Sequence, residues 1–412
     1  MTKHRVKQCI FAVVLSSLIS AGCAPSLEQA RNSFYNGQPE DTVAILSEAD
    51  DLNAKDRLLK LMEEGVAYHQ LENYERSSEV LLEAADLIEE QDYISVSQQA
   101  GSLVANEWVT EYKGEYSERL WVHSYLMMNF LLLNRPESAL VEAKRALKVF
   151  DAFSEPLSND HFSRALVALC FENISEYNDA FIEYKILANQ MSSQAVALEL
   201  SHMAAILGLL DEVEKYQKQI PEKFDLLTAE EKESELVFFV SLGRGPEKES
   251  GDIILPPGIR FSIPIYSRKK HVDAEVNVFK GEEVLPSNIF TTQVFDVARD
   301  SLEARRLAIL AKETARVTSK EMLVRKLEND KDTELLGVVA RVLFMIMEEA
   351  DTRCWQTLPA VFKMVKVPIR EGVHNIRIRI TPNGYGRSEE FLIPEMETFR
   401  GRKTFYAIRL LD

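Results

Sequence analysis

Cys23 is the side chain in this sequence whose type and setting imply a definite reaction. It follows Ile19-Ser20-Ala21-Gly22, which in turn follows the apolar run Cys9 to Leu15 and the basic residues Lys3, Arg5 and Lys7. A charged start, a short apolar core and small residues before a cysteine mark an exported segment, cleaved so that the thiol takes a diacylglycerol. The apolar core is too short, and too soon broken by Ser16, Ser17 and Ser20, to span a bilayer as a mature helix. Residues 1–22 are therefore expected to be a lipoprotein signal peptide, with Cys23 as the lipid attachment. Ala24 is not the aspartate that holds such proteins at an inner membrane, which favours outer-membrane attachment facing the periplasm.

The remaining reactive side chains give no catalytic pattern. Seven histidines are scattered without H-x-x-x-H or His/Cys pairs at metal-ligand spacing, so no metal or other cofactor is expected. Gly243-Arg-Gly245 lacks the rest of a dinucleotide fingerprint, and neither a G-x-S-x-G elbow nor a Walker loop is present. The acidic pairs Glu63/Glu64 and Glu348/Glu349 are read as solvated helix surface. Two other places invite a binding reading. Arg353 and Trp355 stand together, and Arg and Trp are enriched among binding hot spots; Arg377 and Arg379 alternate with isoleucines in Ile376 to Ile380, which gives a strand one apolar and one basic face. Each has a plain structural alternative: Trp355 as a plug with Arg353 paired to a carboxylate such as Asp351 or Glu349, and the two strand arginines as a solvated face.

Charge separates the elements that must position these residues. The chain carries −17 overall, yet residues 23–235 hold 40 acidic and 17 basic side chains (−23), whereas residues 236–412 hold 25 and 28 (+3). Nucleic acid is thereby an unlikely partner. In the acidic part, Leu61, Gly65 and Tyr68 followed by Tyr74, Ser77, Leu81 and Ala84 match the spacing of a tetratricopeptide (TPR) unit of two antiparallel helices. Equivalent small positions recur at Thr42, Ser77, Ala139, Ala180 and Val213, at intervals of 35, 62, 41 and 33 residues. The long interval leaves room for an extra helix near residues 93–112. Such pairs bury their apolar stripes only by stacking, so residues 23–234 are expected to form a curved, acidic TPR-like α-solenoid. Trp121, His123, Tyr125, Met127, Met128 and Phe130 crowd one of its helices and read as core.

From residue 235 the period changes. Strands are expected at 236–242, 259–266, 272–279, 360–369, 373–380 and 403–411, and helices at 291–329 and 333–350. The architecture is therefore α+β: the solenoid, then an antiparallel β domain over 235–412 interrupted by a helical hairpin at about 291–350. The run Leu335 to Met347 holds Arg341 and is too short to span a bilayer, so it is expected to be buried between the sheet and the first hairpin helix. Cys170 reads as a buried free thiol, with a Cys170–Cys354 disulfide as the alternative.

Two blocks, Glu118 to Asn134 running on to Val141-Glu-Ala-Lys-Arg145, and Ala350-Asp-Thr-Arg-Cys-Trp-Gln-Thr-Leu-Pro359, resemble an uncharacterised family of Gram-negative envelope lipoproteins with a TPR-like front half. Leu236 to Pro246 fits that family's opening strand and loop, and Cys354 stands where the family pattern has Ser. Members of that family tend to be encoded near a lipoprotein similar to penicillin-binding-protein activators, so the resemblance implies a cell-envelope role, with such a lipoprotein among the candidate partners, and carries no catalytic residues. Together these readings lead to a non-enzymatic, lipid-anchored scaffold binding envelope proteins. The alternatives are a peptidoglycan- or glycan-acting enzyme and a subunit of a secretion or polysaccharide-export complex.

Overall fold

The computed structural model describes residues 25–49, 54–97, 111–191, 193–220, 234–256, 259–267, 273–329, 333–346, 348–384 and 387–411. The signal-like segment and Cys23 lie outside these residues, as does most of the expected extra helix; its beginning belongs to the long helix ending at Ser97.

Among the described residues the N-terminal half is a series of helix pairs. These are α1 (Pro25–Tyr35) with α2 (Pro39–Glu48), α3 (Arg57–Gln70) with α4 (Tyr74–Ser97), and α5 (Tyr116–Leu132) with α6 (Pro136–Ala152). They continue with α7 (His161–Asn173) and α8 (Tyr177–Gln190), then α9 (Gln194–Ile206) and α10 (Leu210–Gln217). One turn device is repeated. Each pair reverses over three residues whose middle one is left-handed: Gly37, Glu72, Asn134, Ser175 and Gly208, with φ of 75, 58, 55, 65 and 72°. The next residue then donates its N–H to the carbonyl five positions back, as Asn73 does to Tyr68 and Arg135 to Phe130, which satisfies a helix end and fixes the angle of return.

The small residues allow the paired helices to touch. Ser77 Oγ donates to the Gly65 carbonyl at 2.7 Å, and Thr42 Oγ1 to the Ala30 carbonyl at 3.1 Å. A Cβ on Gly65 would lie 2.5 Å from Leu81, so glycine is required for this crossing. Trp121, Tyr125, Met127 and Met128 are fully packed inside, and His123 Nδ1 lies 2.8 Å from Glu142 Oε2 in the same core.

The second half contains two four-stranded sheets and a hairpin. The first sheet has the order β10 (Lys403–Leu410), β1 (Ser234–Leu242), β7 (Val361–Ile369), β6 (Asn288–Gln293). The second has β5 (Glu283–Val284), β4 (Ala274–Lys280), β8 (Gly372–Pro382), β9 (Glu389–Thr398). Among the described residues β2 (Lys248–Leu255) pairs only with β3 (Ile259–Tyr266). Every residue of β1 is buried because both its faces are covered. Leu236, Phe238, Val240 and Leu242 pack toward the second sheet, while Val237 and Phe239 join the solenoid core. The molecule is thus layered as solenoid, sheet, sheet.

Several expectations need correction. The domain is not purely antiparallel, since β1 and β10 run parallel; the chain crosses the second sheet before adding its last strand, and a hairpin cannot make that connection. Residues 291–293 are strand, and the first hairpin helix, α11, spans Val294–Glu328. The second, α12 (Glu334–Ile346), is not sandwiched. Gly337 packs onto Glu328 of α11 and Arg341 forks between Glu321 and Glu328, but Leu335, Val338 and Val342 are 74%, 50% and 49% exposed. No described helix is long and apolar enough to cross a membrane.

Candidate functional site

The segment 350–359 is clasped by the solenoid. Glu63 on α3 accepts the N–H groups of Gln356 and Thr357, each at 3.1 Å, and pairs with Arg31, whose Nη2 donates to the Cys354 carbonyl at 2.9 Å. Glu118 on α5 accepts the Trp355 N–H at 2.8 Å and the Tyr112 hydroxyl at 2.5 Å. Tyr35 donates its hydroxyl to the Gln356 carbonyl. Trp355 is 1% exposed and lies beside Tyr125, and its Nε1 donates to Thr357 Oγ1 at 3.1 Å. Arg353 reaches Asp351 at 2.8 Å and Asp56 at 2.9 Å, so its carboxylate partners come from its own loop and from the solenoid, not from Glu349.

Glu63, Glu64 and Glu348 are buried, which overturns the reading of these pairs as solvated surface; Glu349 alone of the four is exposed. Helical position cannot reveal a donor arriving from the other end of the chain. Glu348 takes Arg316 and Lys320 of α11.

Two further charge clusters lie on the seam between solenoid and β domain. Glu115 meets Lys248 at 2.6 Å and Arg305 at 2.7 Å. Burial opposes ionisation of Glu115, but the two cations outweigh it and lower its pKa to about 2. In the other cluster, Lys366 Nζ stands 2.9 Å from both Glu172 and Glu199, and Lys403 bridges Glu172 and Glu235 at 2.6 and 2.5 Å. Burial disfavours the charge on Lys366, yet the surrounding carboxylates raise its pKa well above the ordinary lysine value. Glu172, Glu199 and His202 approach closely enough to resemble metal ligands. The ammonium of Lys366 already supplies the positive charge there, so the donor set fits an ion-pair cluster rather than a metal site. At the same seam Asp160 accepts from Trp121 Nε1, Ser163 and Thr292 Oγ1, linking α5, α7 and β6.

Arg377 and Arg379 lie on the outer face of the second sheet, while Ile376, Ile378 and Ile380 are fully buried beneath. Both guanidiniums stand 4.8 Å from the Phe279 ring; Arg379 pairs with Glu390 at 2.6 Å and Arg377 approaches it at 3.6 Å. That face is charge-balanced rather than basic. Cys170 and Cys354 are buried and free, in different surroundings. Burial raises the Cys354 thiol pKa to about 11, which makes it a poor nucleophile.

An open cleft of about 170 Å³ lies where α3 and the turn into α4 face β10. His69, Gln70, Glu72 and Tyr74 line one side, Tyr406 and Arg409 the other, and Phe391 of β9 also lines it. His69 Nδ1 is 2.6 Å from Asn129 Oδ1, and burial is the main cause lowering the His69 pKa to about 4. Arg409 Nη2 donates to the carbonyls of Gly243, Thr357 and Leu358 at 3.1, 3.1 and 3.2 Å. Its Nε and Nη1 have no acceptor among the described residues. Sequence reading missed Arg409. The alternation of Phe405, Ala407 and Arg409 on the face toward the solenoid was the available signal, an arginine at an inward strand position.

No protein-family model and no curated protein matches the chain. Among solved structures, MamA (AMB-1) has 14% identity and a TM-score of 0.34, covering 50% of this chain and 93% of its own. YrrB, a TPR protein with an unusual peptide-binding site, has 15% identity and a TM-score of 0.35, covering 53% and 96%. A candidate kinesin light chain of Podospora anserina with nearly identical TPR-like repeats has 16% and 0.33, covering 47% and 90%. At this level of similarity the TPR-like description rests on the repeated turns and crossings of the chain itself.

Proposed function

We propose that the protein is a lipid-anchored envelope adaptor, tethered through Cys23 to the outer membrane on its periplasmic side and holding a protein partner on a rigid body. The observation that carries this reading is how the buried ionisable groups are used. Glu63, Glu115, Glu118, Glu172, Glu199 and Asp160 of the solenoid all receive bonds from the β domain or its hairpin. Those carboxylates hold two halves of unlike charge together, an arrangement suited to presenting a surface rather than to moving protons in a reaction. The open cleft at the seam, walled by aromatic side chains with Gln70, Glu72 and Arg409, suits recognition of another chain. The signal-like segment ending at Cys23 supports the tether, and the family resemblance supports the envelope setting.

The test uses the full chain expressed in a Gram-negative envelope. Wild type should fractionate with outer membrane and Cys23→Ser should be released from it, while crosslinking of the wild type should yield one reproducible envelope protein in near-stoichiometric amount. Membrane retention of Cys23→Ser would refute the tether. Crosslinked material that varies from preparation to preparation would refute the adaptor role.

A further inference from the structure

The cleft beside Arg409 lies along an open strand edge. Among the described residues β10 is hydrogen-bonded to β1 on one side only and ends its sheet. The carbonyls of Arg402 and Leu410 accept from Glu235 and Gly243 of the β1 side, so even-numbered residues turn their backbone groups toward β1. Within a strand, N–H and C=O of one residue point the same way and alternate along the chain. The backbone groups of Phe405, Ala407 and Arg409 therefore face away from β1. The cleft is lined by Tyr406 and Ile408, which face the second sheet, and also by Ala407 and Arg409, which face the solenoid. Lining from both faces of one strand places the cleft across its free edge.

Arg409 has no ion pair at this edge: Glu72, the carboxylate that lines the cleft, is exposed on the turn and does not bond to it. Arg409 bonds only to backbone carbonyls, and no carboxylate among the described residues forms an ion pair with it. A partly buried cation held by carbonyl dipoles and, at 5.8 Å, by the Phe34 ring is stabilised further by an incoming anion, most strongly where water is scarce. The cavity of about 170 Å³ equals about six water volumes, room for one side chain beside an added strand.

We infer that this edge binds an extended segment of a partner protein, added as a strand beside β10, with an Asp or Glu side chain of that segment directed to Arg409. The inference rests on the adaptor reading and names its docking site. Backbone pairing supplies affinity and the acidic residue fixes the register.

The mature full-length chain is panned against a display library of random peptides, and enriched peptides are made as C-terminal amides, which excludes their termini as the carboxylate. Enriched sequences should carry an acidic residue among β-branched ones, and fluorescence polarisation should show binding weakened at least tenfold by Glu→Gln in the peptide. Ala407→Pro, which removes an outward N–H at a position where an edge strand accepts proline, should weaken it equally without lowering the melting temperature. Arg409→Gln should weaken binding equally but also lower the melting temperature, because it releases three carbonyls; Tyr406→Glu, which should weaken binding too, therefore serves as a second charge test at the cleft. No enrichment, enriched peptides without acid, or unchanged binding to Ala407→Pro would overturn the proposal. So would a dimer that dissociates on Ala407→Pro, which would assign the edge to a second copy. If an envelope protein crosslinks equally to wild type and Ala407→Pro, the adaptor reading stands and this site falls; if nothing crosslinks to wild type, the adaptor reading fails first.

Discussion

The backbone N–H of Trp355 donates to Glu118 Oε1 at 2.8 Å, joining a loop that follows the helical hairpin to a solenoid helix 237 residues earlier. Burial pushes the Glu118 carboxyl pKa up, and the nearby Lys248 ammonium together with the donors Tyr112 and Trp355 opposes it without reversing the shift. The same loop is bonded to Glu63, Arg31 and Asp56, and the solenoid and sheet close around it.

Trp355→Ala should cost about 3 to 5 kcal/mol, because an indole that is 1% exposed leaves a cavity that its aromatic neighbours cannot fill. Urea unfolding of the full chain reads this loss as a lower midpoint. An unchanged midpoint would mean the ring is not part of the core and would return it to the list of binding residues.

Glu115→Ala should cost about 3 to 5 kcal/mol, since it leaves Lys248 and Arg305 facing one another in a buried site. The carboxyl is ionised in the folded chain down to about pH 2, below its unfolded value. Its contribution is therefore present above the ordinary glutamate range and disappears as pH falls through about 4 toward 2. Stability measured over that window should drop steeply in wild type and less steeply in Glu115→Gln; parallel curves would contradict the ion triad.

His69 adds to the loss of stability on acidification, through a window at higher pH. Burial holds its folded pKa near 4, below the ordinary 6.5, so the unfolded chain takes up the proton first. Stability is lost as pH falls from about 6.5 to 4, by up to about 3 kcal/mol from this residue. The ring resonances of His69 should shift with a midpoint near 4 in the folded protein, and a midpoint near 6.5 would show the ring to be solvated.

The repeated turns give two substitutions of opposite sign. Ser175 is exposed with φ of 65°, so Ser175→Gly should stabilise by about 1 kcal/mol. Gly65→Ala should destabilise by about 1 to 3 kcal/mol, because its Cβ would meet Leu81 at 2.5 Å. Thermal melts that move both variants in the same direction would sink the helix-pair geometry.

The helix pairs were legible because their signal is local. Gly65, Ser77 and the left-handed turn positions lie within one repeat, and period decides them. β1 was legible from the apolar run Leu236 to Val240, and β3 from the alternation of Ile259, Phe261, Ile263 and Ile265 with other residues. β2 and β9 were not: Lys-Glu-Ser-Gly-Asp opens β2, while β9 is an edge strand with Pro394 and a register shift against β8. The seam was least legible. Glu63, Glu172 and Lys366 look like surface charge in sequence, and partners more than a hundred residues away help to make them interior. Arg409 was hidden for the same reason, since the turn and helix that wall its cleft are encoded more than three hundred residues before it.

Calorimetry of the mature chain tests most directly whether solenoid and β domain are one folded body. A single transition is expected, with calorimetric and van't Hoff enthalpies equal, because Glu63, Glu115 and Glu172 keep buried bonds that neither half can satisfy alone. Two separate transitions, each assignable to one half and unmoved by Glu115→Ala, would show that the halves fold independently and that the seam does not hold them.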